Sequence, residues 1–159
     1  MVSVCHYDSP LGGITLAGSG DALTGLWFDG QARFGSTLRG CCDGGWLPVF
    51  DEAVRWLDGY FSGNVPGFTP RLDLQGTPFQ QAVWRALLEI PYGETLTYGA
   101  LARRLGSSPR AVGGAVGRNP VSLVVPCHRV VAAGGHPGGY AAGPARKLRL
   151  LQLERTGTL

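Results

Sequence analysis

The residues best suited to covalent chemistry in this chain are contiguous: Pro126-Cys127-His128-Arg129-Val130-Val131. They follow Asn119-Pro120 and an apolar run, Val121 to Val125, that reads as a short strand, and they precede a loop rich in glycine. An isolated cysteine is most often a small buried hydrophobe. Here cysteine, histidine and arginine stand together between a strand and a loop, where functional side chains tend to be exposed. A neighbouring imidazole and guanidinium favour thiolate over thiol, and the thiolate is the nucleophilic form. Cys127 is therefore read as a nucleophile with His128 beside it.

Elements that would position this run are legible upstream. Thr77-Pro78-Phe79-Gln80 combines a capping threonine, a proline at the first helical position and a glutamine at the third, which is a capping box. Phe79, Ala82, Val83, Ala86, Leu87 and Ile90 then form one apolar helix face, ended by Pro91. Glu94 to Thr97 reads as extended, and Thr97 can cap a second helix whose stripe is Tyr98, Leu101, Ala102 and Leu105, stopped by Gly106. After a short turn, Ser108-Pro109 opens a third helix over Arg110 to Arg118. Helix, tight glycine-containing turn and helix is helix-turn-helix spacing. The third helix holds Gly113, Gly114 and Gly117, each costing ~1 kcal/mol relative to alanine. Its backbone must approach something closely, either a neighbouring helix or a nucleic-acid groove.

The first half reads differently. Val2 to Tyr7, Ile14 to Ala17 and Ala22 to Phe28 are short apolar or alternating runs separated by turn compositions, which predicts a small antiparallel meander. Residues 30–45 carry no period. Phe50, Ala53, Val54, Leu57, Tyr60 and Phe61 recur at helical spacing, so a helix of about three turns should cover one sheet face. Glycine and proline between Gly63 and Pro70 punctuate the chain. The reading is an α/β domain over 1–75, with a linker at about 63–75, and a mainly α domain over 76–159.

Composition bounds what the chain can be. At 44% hydrophobic residues it can build a core, and a disordered chain is excluded. The net charge of +3 hides an asymmetry. Residues 1–75 carry four arginines against eight acids, net −4, whereas residues 76–159 carry ten basic residues against Glu89, Glu94 and Glu154, net +7. A basic half of this kind suits a polyanion, and all but one of the basic residues are arginine, whose planar fork matches phosphate. Cys5, Cys41, Cys42 and Cys127 show no C-x-x-C spacing or secreted framework. The N-terminus resembles no leader, and no long apolar segment follows; a cytoplasmic, reduced protein is expected.

The second half resembles the O6-alkylguanine-DNA alkyltransferases, or methylated-DNA–protein-cysteine methyltransferases. Gly76-Thr77-Pro78-Phe79-Gln80-Gln81-Ala82-Val83-Trp84, Ile90-Pro91-Tyr92-Gly93-Glu94-Thr95, Tyr98-Gly99, Arg110-Ala111-Val112-Gly113, Asn119-Pro120, Pro126 to Val130, and Gly139-Tyr140 through Arg146-Lys147 to Leu151 and Glu154 carry the resemblance. Residues 1–75 match more weakly, through Asp8-Ser9-Pro10-Leu11-Gly12 and the run near Leu26. The resemblance implies a ribonuclease H-like first domain and a winged-helix-like second. It also implies repair of O6-alkylguanine in double-stranded DNA by a single irreversible alkyl transfer to the protein, without cofactor or membrane, by a monomer. Activity on O4-alkylthymine and cooperative binding along DNA stay open.

Roles follow position by position from that resemblance. Cys127 is the acceptor, His128 its base through a water, and Glu154 the residue that orients His128. Tyr98 hydrogen-bonds guanine N3 and crowds the target phosphate; on spacing alone it reads as a core aromatic. Arg110 is the finger that enters the base stack as the damaged nucleotide swings out. Ala111, Gly113 and Gly114 face the minor groove with Arg118 at the far end. Asn119 is the hinge to the active-site strand, and Val130, Tyr140 and Ala141 line the base pocket.

Two departures stand out. The connection Leu105-Gly106-Ser107-Ser108-Pro109-Arg110 is two residues shorter than is common in the family, which predicts a shorter or tilted approach to the recognition helix. Ala142 stands where glycine is usual. Some relatives bind zinc in the first domain, but Cys5, His6, Cys41 and Cys42 do not reproduce that ligand pattern, so no metal is expected. Three other classes remain to be weighed: a non-catalytic lesion binder, which Cys127 disfavours; a helix-turn-helix regulator that senses alkylation through Cys127; and a cysteine hydrolase.

Overall fold

The computed structural model describes residues 2–38 and 45–159. Its first half is a three-stranded antiparallel meander, β1 (Ser3–Ser9), β2 (Gly12–Ser19) and β3 (Ala22–Phe28), in the order β1-β2-β3. The strands run longer than the apolar runs because Gly12, Gly13 and Gly18 also pair, Ser9 facing Gly12 and Ser3 facing Gly18. Helix α1 (Pro48–Phe61) starts before Phe50, with Pro48 at its first position, and buries Phe50, Ala53, Leu57 and Tyr60, packing on all three strands.

The outer edge of β3 is what joins the halves. Leu23 N–H donates to the Arg71 carbonyl at 2.8 Å and Asp73 N–H to the Leu23 carbonyl at 2.9 Å. Further along, Leu26 N–H donates to the Pro120 carbonyl and Ser122 N–H to the Leu26 carbonyl, both at 2.9 Å. An edge that would otherwise expose unpaired backbone groups is thereby tied to the segment that leads into Cys127. One continuous apolar cluster contains Leu16, Phe28 and Leu57 from the first half together with Trp84, Leu101 and Leu150 from the second.

The second half contains α2 (Pro78–Leu88), β4 (Leu96–Thr97), α3 (Tyr98–Leu105), α4 (Pro109–Val116), β5 (Val130–Val131) and α5 (Pro144–Thr156). The capping box of α2 is formed, with Gln80 N–H donating to Thr77 Oγ1 at 3.1 Å and Thr77 N–H to Gln80 Oε1 at 3.0 Å. Thr97 and Ser108 cap α3 and α4, and Gly106 takes the left-handed φ of 62° that ends α3. β4 and β5 pair in parallel, Leu96 opposite Val130. Among the described residues no helix is long and apolar enough to cross a membrane.

Two expectations are corrected. Helix α4 ends at Val116, so Arg118 lies beyond its cap rather than on the helix. Residues 121–125 form a turn, not a strand: only Val121 bridges β3, and Leu123 has a φ of 71°. The apolar run is enclosed by the core instead of being paired on both sides, and its backbone groups are satisfied within the turn, Val125 N–H donating to the Val121 carbonyl at 3.1 Å.

Candidate active site and nucleic-acid interface

Cys127, His128 and Arg129 form one 3₁₀ turn after Pro126, and all three are buried. The expectation of an exposed loop thus fails for the reactive run, which is covered by α1, α2 and α5. Asn119 builds the approach: its side-chain N–H donates to the Val125 carbonyl at 2.8 Å, and its Oδ1 accepts from Val121 N–H at 3.0 Å.

The charge pattern around Cys127 also differs from the expectation. Arg129 turns away, donating from Nε to Glu154 Oε1 at 2.8 Å, from Nη2 to Oε2 at 3.2 Å and from Nη1 to the Ile90 carbonyl at 2.7 Å. Burial pushes the Cys127 thiol up, opposed by the Asn119 amide, the Lys147 ammonium and the backbone N–H groups of Cys127 and His128. The resting sulfur is a thiol. Lys147 went unassigned in the sequence; its Nζ donates to the carbonyls of Val130 at 2.6 Å and Gly139 at 2.9 Å, and burial lowers its pKa to about 8.

His128 and Glu154 meet as the resemblance implied, with His128 Nε2 2.5 Å from Glu154 Oε2. Burial pulls His128 below its ordinary pKa although Glu154 opposes it, so the ring is neutral at rest. Burial alone would raise Glu154, but the hydrogen bond from His128 and the hydrogen bonds and charge of Arg129 hold it well below the carboxylate range. An ionised carboxylate only accepts. Nε2 therefore carries the ring hydrogen, leaving Nδ1 unprotonated, and Nδ1 is buried without a protein partner. Gly93 N–H adds a further donor to Oε1 at 3.0 Å. Tyr60, read as a core residue, donates its hydroxyl to Oε2 at 2.7 Å.

A cavity of about 240 Å³ opens beside Cys127, between Tyr98, Asn119, Tyr140, Ala141 and the backbone of Gly113 and Gly117. Arg33, from the acidic half, lies on its rim with a φ of 58°, and Ala32 N–H donates to the Ala141 carbonyl at 3.0 Å. Val130 does not line the cavity: it is fully buried and its carbonyl faces Lys147. Ala142, the unusual alanine, is likewise buried behind the wall.

On the outer face of the helix-turn-helix, Arg103, Arg104, Arg110, Ala111, Gly114 and Arg118 are exposed. Those four arginines make no ion pair among the described residues. The glycines of α4 are not demanded by helix packing. A Cβ on Gly114 would meet nothing within 4 Å, and one on Gly113 would make only ordinary contact with Tyr98 at 3.8 Å. The packed face of α4 is Val112, Ala115 and Val116, fixed by Trp84, whose indole N–H donates to the Ala115 carbonyl at 2.9 Å. The glycines of the helix are thus confined to the open face and the cavity rim, which suits close approach of a duplex. Cys5 is buried in β1, its thiol pushed up to about 11 by burial; Cys41 and Cys42 lie outside the described residues.

Comparison with known proteins covers both halves. Residues 5–74 match the 6-O-methylguanine DNA methyltransferase, ribonuclease-like domain, and residues 78–156 match the 6-O-methylguanine DNA methyltransferase, DNA binding domain. The methylated-DNA–protein-cysteine methyltransferase of Mycobacterium leprae is 48% identical over 98% of this chain and 93% of its own length. That of Methanosarcina acetivorans is 43% identical over 93% and 95%. The Mycobacterium tuberculosis OGT crystallised in complex with DNA superposes with a TM-score of 0.84 at 46% identity, covering 96% of this chain and 92% of that one.

Proposed function

The chain belongs to the methylated-DNA–protein-cysteine methyltransferase family, and from that premise we propose how its residues carry out the transfer. The protein binds DNA and repairs it by moving an alkyl group from O6 of alkylguanine to a cysteine of its own. Cys127 is the acceptor, supported by its place at the floor of a cavity walled by two tyrosines.

The duplex docks on the face that carries Arg103, Arg104, Arg110 and Arg118. O6 of a stacked guanine is out of reach of a buried sulfur, so the nucleotide must leave the helix; unstacking costs a few kcal/mol. Arg110 offsets part of this by filling the gap, while the small residues of α4 let the backbone lie in a minor groove only ~6 Å wide. The extruded base enters between Tyr98, Tyr140 and the backbone of Ala141.

The Cys127 proton passes through a bridging water to His128 Nδ1, the nitrogen left unprotonated by the Glu154 bond. The imidazolium is then balanced by Glu154. Lys147 and Asn119 steady the thiolate, offsetting the burial that disfavours it. Sγ attacks the alkyl carbon opposite O6; the carbon–sulfur bond forms as the carbon–oxygen bond breaks, and the electron pair leaves with guanine. Tyr98 assists with a hydrogen bond to N3, and the guanine anion takes up one proton from water while the His128 imidazolium returns the Cys127 proton to solvent.

The product is a thioether, which nothing in the cavity can cleave, so each molecule acts once. No cofactor is required because the lesion is the alkyl donor. A reducing compartment such as the cytoplasm fits the free thiols of Cys5 and Cys127. Incubation with excess methylated duplex tests the stoichiometry: one methyl per protein molecule supports the reading, and continued turnover overturns it.

A further inference from the structure

Tyr60 belongs to α1, in the half of the chain that carries no part of the reactive run, yet its hydroxyl lies inside the proton relay. It donates to Glu154 Oε2 at 2.7 Å and stands 3.3 Å from His128 Nε2. The side chain is fully buried, stacked on Trp56 with ring centres 5.1 Å apart and set edge-on to Tyr92 and His128. We propose that Tyr60 is a positioning residue of the transfer reaction, holding Glu154 Oε2 against His128 Nε2 and thereby making the first domain part of the relay.

The need for such a residue follows from the competition for Glu154. Arg129 reaches both carboxylate oxygens, and Gly93 N–H fixes Oε1. Each of these draws the carboxylate away from the imidazole. Tyr60 is the donor that approaches Oε2 from the His128 side, so the three-way arrangement of hydroxyl, carboxylate and ring keeps one oxygen aimed at Nε2. A phenol can fill this place because it donates without adding charge. The titratable and charged groups around it are Glu154 from α5, His128 and Arg129 from the 3₁₀ turn, Tyr92 from the segment after α2, and Tyr140 from the cavity wall. No other phenol takes that place: among the described residues neither the Tyr92 nor the Tyr140 hydroxyl bonds Glu154, and Arg129 is already committed to Glu154 and Ile90.

Loss of the hydroxyl lets Arg129 draw Oε2 toward itself. The imidazole then loses the partner that offsets its burial, becomes a weaker base, and forms the thiolate less readily. The inference rests on the relay assigned above, and the test separates the two. Single-turnover rates at saturating methylated duplex are measured against pH for wild type, Tyr60→Phe, Glu154→Gln and the double variant. Tyr7→Phe serves as a control, because it removes a different hydroxyl that bonds α1 at Asp58.

Tyr60→Phe is expected to slow transfer about tenfold, the loss of one hydrogen bond to a charged group. Duplex affinity should be unchanged and the pH profile displaced to higher pH. In the Glu154→Gln background the same change should add nothing further to the rate, and Tyr7→Phe should match wild type. Thermal unfolding of each variant separates a rate effect from loss of fold. A profile that stays in place or moves to lower pH, or an undiminished Tyr60 effect in the Glu154→Gln background, overturns the role of Tyr60. Absence of any transfer by the wild-type chain would instead sink the relay itself.

Discussion

The side-chain amide of Asn119 bonds the Val125 carbonyl at 2.8 Å, two residues ahead of the nucleophile, while its oxygen accepts from Val121 N–H. One side chain thus closes the turn that delivers Cys127 to the cavity floor. Asn119→Ala leaves a buried carbonyl and a buried N–H without those partners, a loss of about 2–4 kcal/mol. It also removes one of the groups that lower the thiol pKa. Chemical denaturation should show the stability loss, and transfer should slow with a pH profile moved upward.

Glu154 links acidity to stability. Folding holds its carboxyl well below the ordinary 4.5, so the unfolded chain binds more protons as the pH falls through that range. The stabilisation is full above about pH 5 and is lost progressively on acidification. Glu154→Gln should flatten the dependence of the melting temperature on pH below about pH 5. It should also slow transfer at neutral pH, as should His128→Ala. Unchanged rates in both would reject the relay.

Arg110 is exposed at the start of α4, away from the reacting atoms. If it fills the gap in the base stack, Arg110→Ala should slow repair of duplex DNA on the order of 10- to 100-fold, matching an unstacking cost of a few kcal/mol. Reaction with a free O6-alkylguanine base should be nearly unaffected. Equal losses on both substrates would mean that Arg110 is not a finger.

Gly114 offers a test in which stability and function part company. With open space around its Cβ position, Gly114→Ala should raise stability by about 1 kcal/mol through helix propensity. Gly114→Leu projects bulk from the same open face and should weaken duplex binding while sparing reaction with the free base. Weakened duplex binding without such sparing would point to a distorted cavity.

Local signals made much of this architecture legible. The capping residues Thr77, Thr97 and Ser108 mark three helix starts, and alternation marks the meander. Tertiary effects were not legible. Residues 121–125 carry a strand's composition, but enclosure by the core and the Asn119 bonds fold them into a turn. The reactive run lies beside a glycine-rich loop, yet α1, α2 and α5 bury it, so burial outweighs the nearby cations in setting the thiol. Arg129 was misread because sequence adjacency to Cys127 does not reveal that its fork is occupied by Glu154. Lys147 did leave a trace: with Leu150 and Glu154 it lies on the buried stripe of α5, an unusual place for two charges. Tyr60 left none, since a tyrosine on an apolar stripe reads as core whether or not its hydroxyl has work.

The most direct measurement follows the alkyl group itself. Duplex DNA carrying O6-methylguanine with a labelled methyl is incubated with the protein, which is then digested and its peptides analysed by mass. The label should appear on the peptide holding Cys127, at no more than one equivalent, with unmodified guanine left in the DNA. Cys127→Ala should still bind the duplex and acquire no label. Label on another residue, or tight lesion binding by the intact protein with the methyl retained on the DNA, would contradict the assignment of Cys127 as the acceptor.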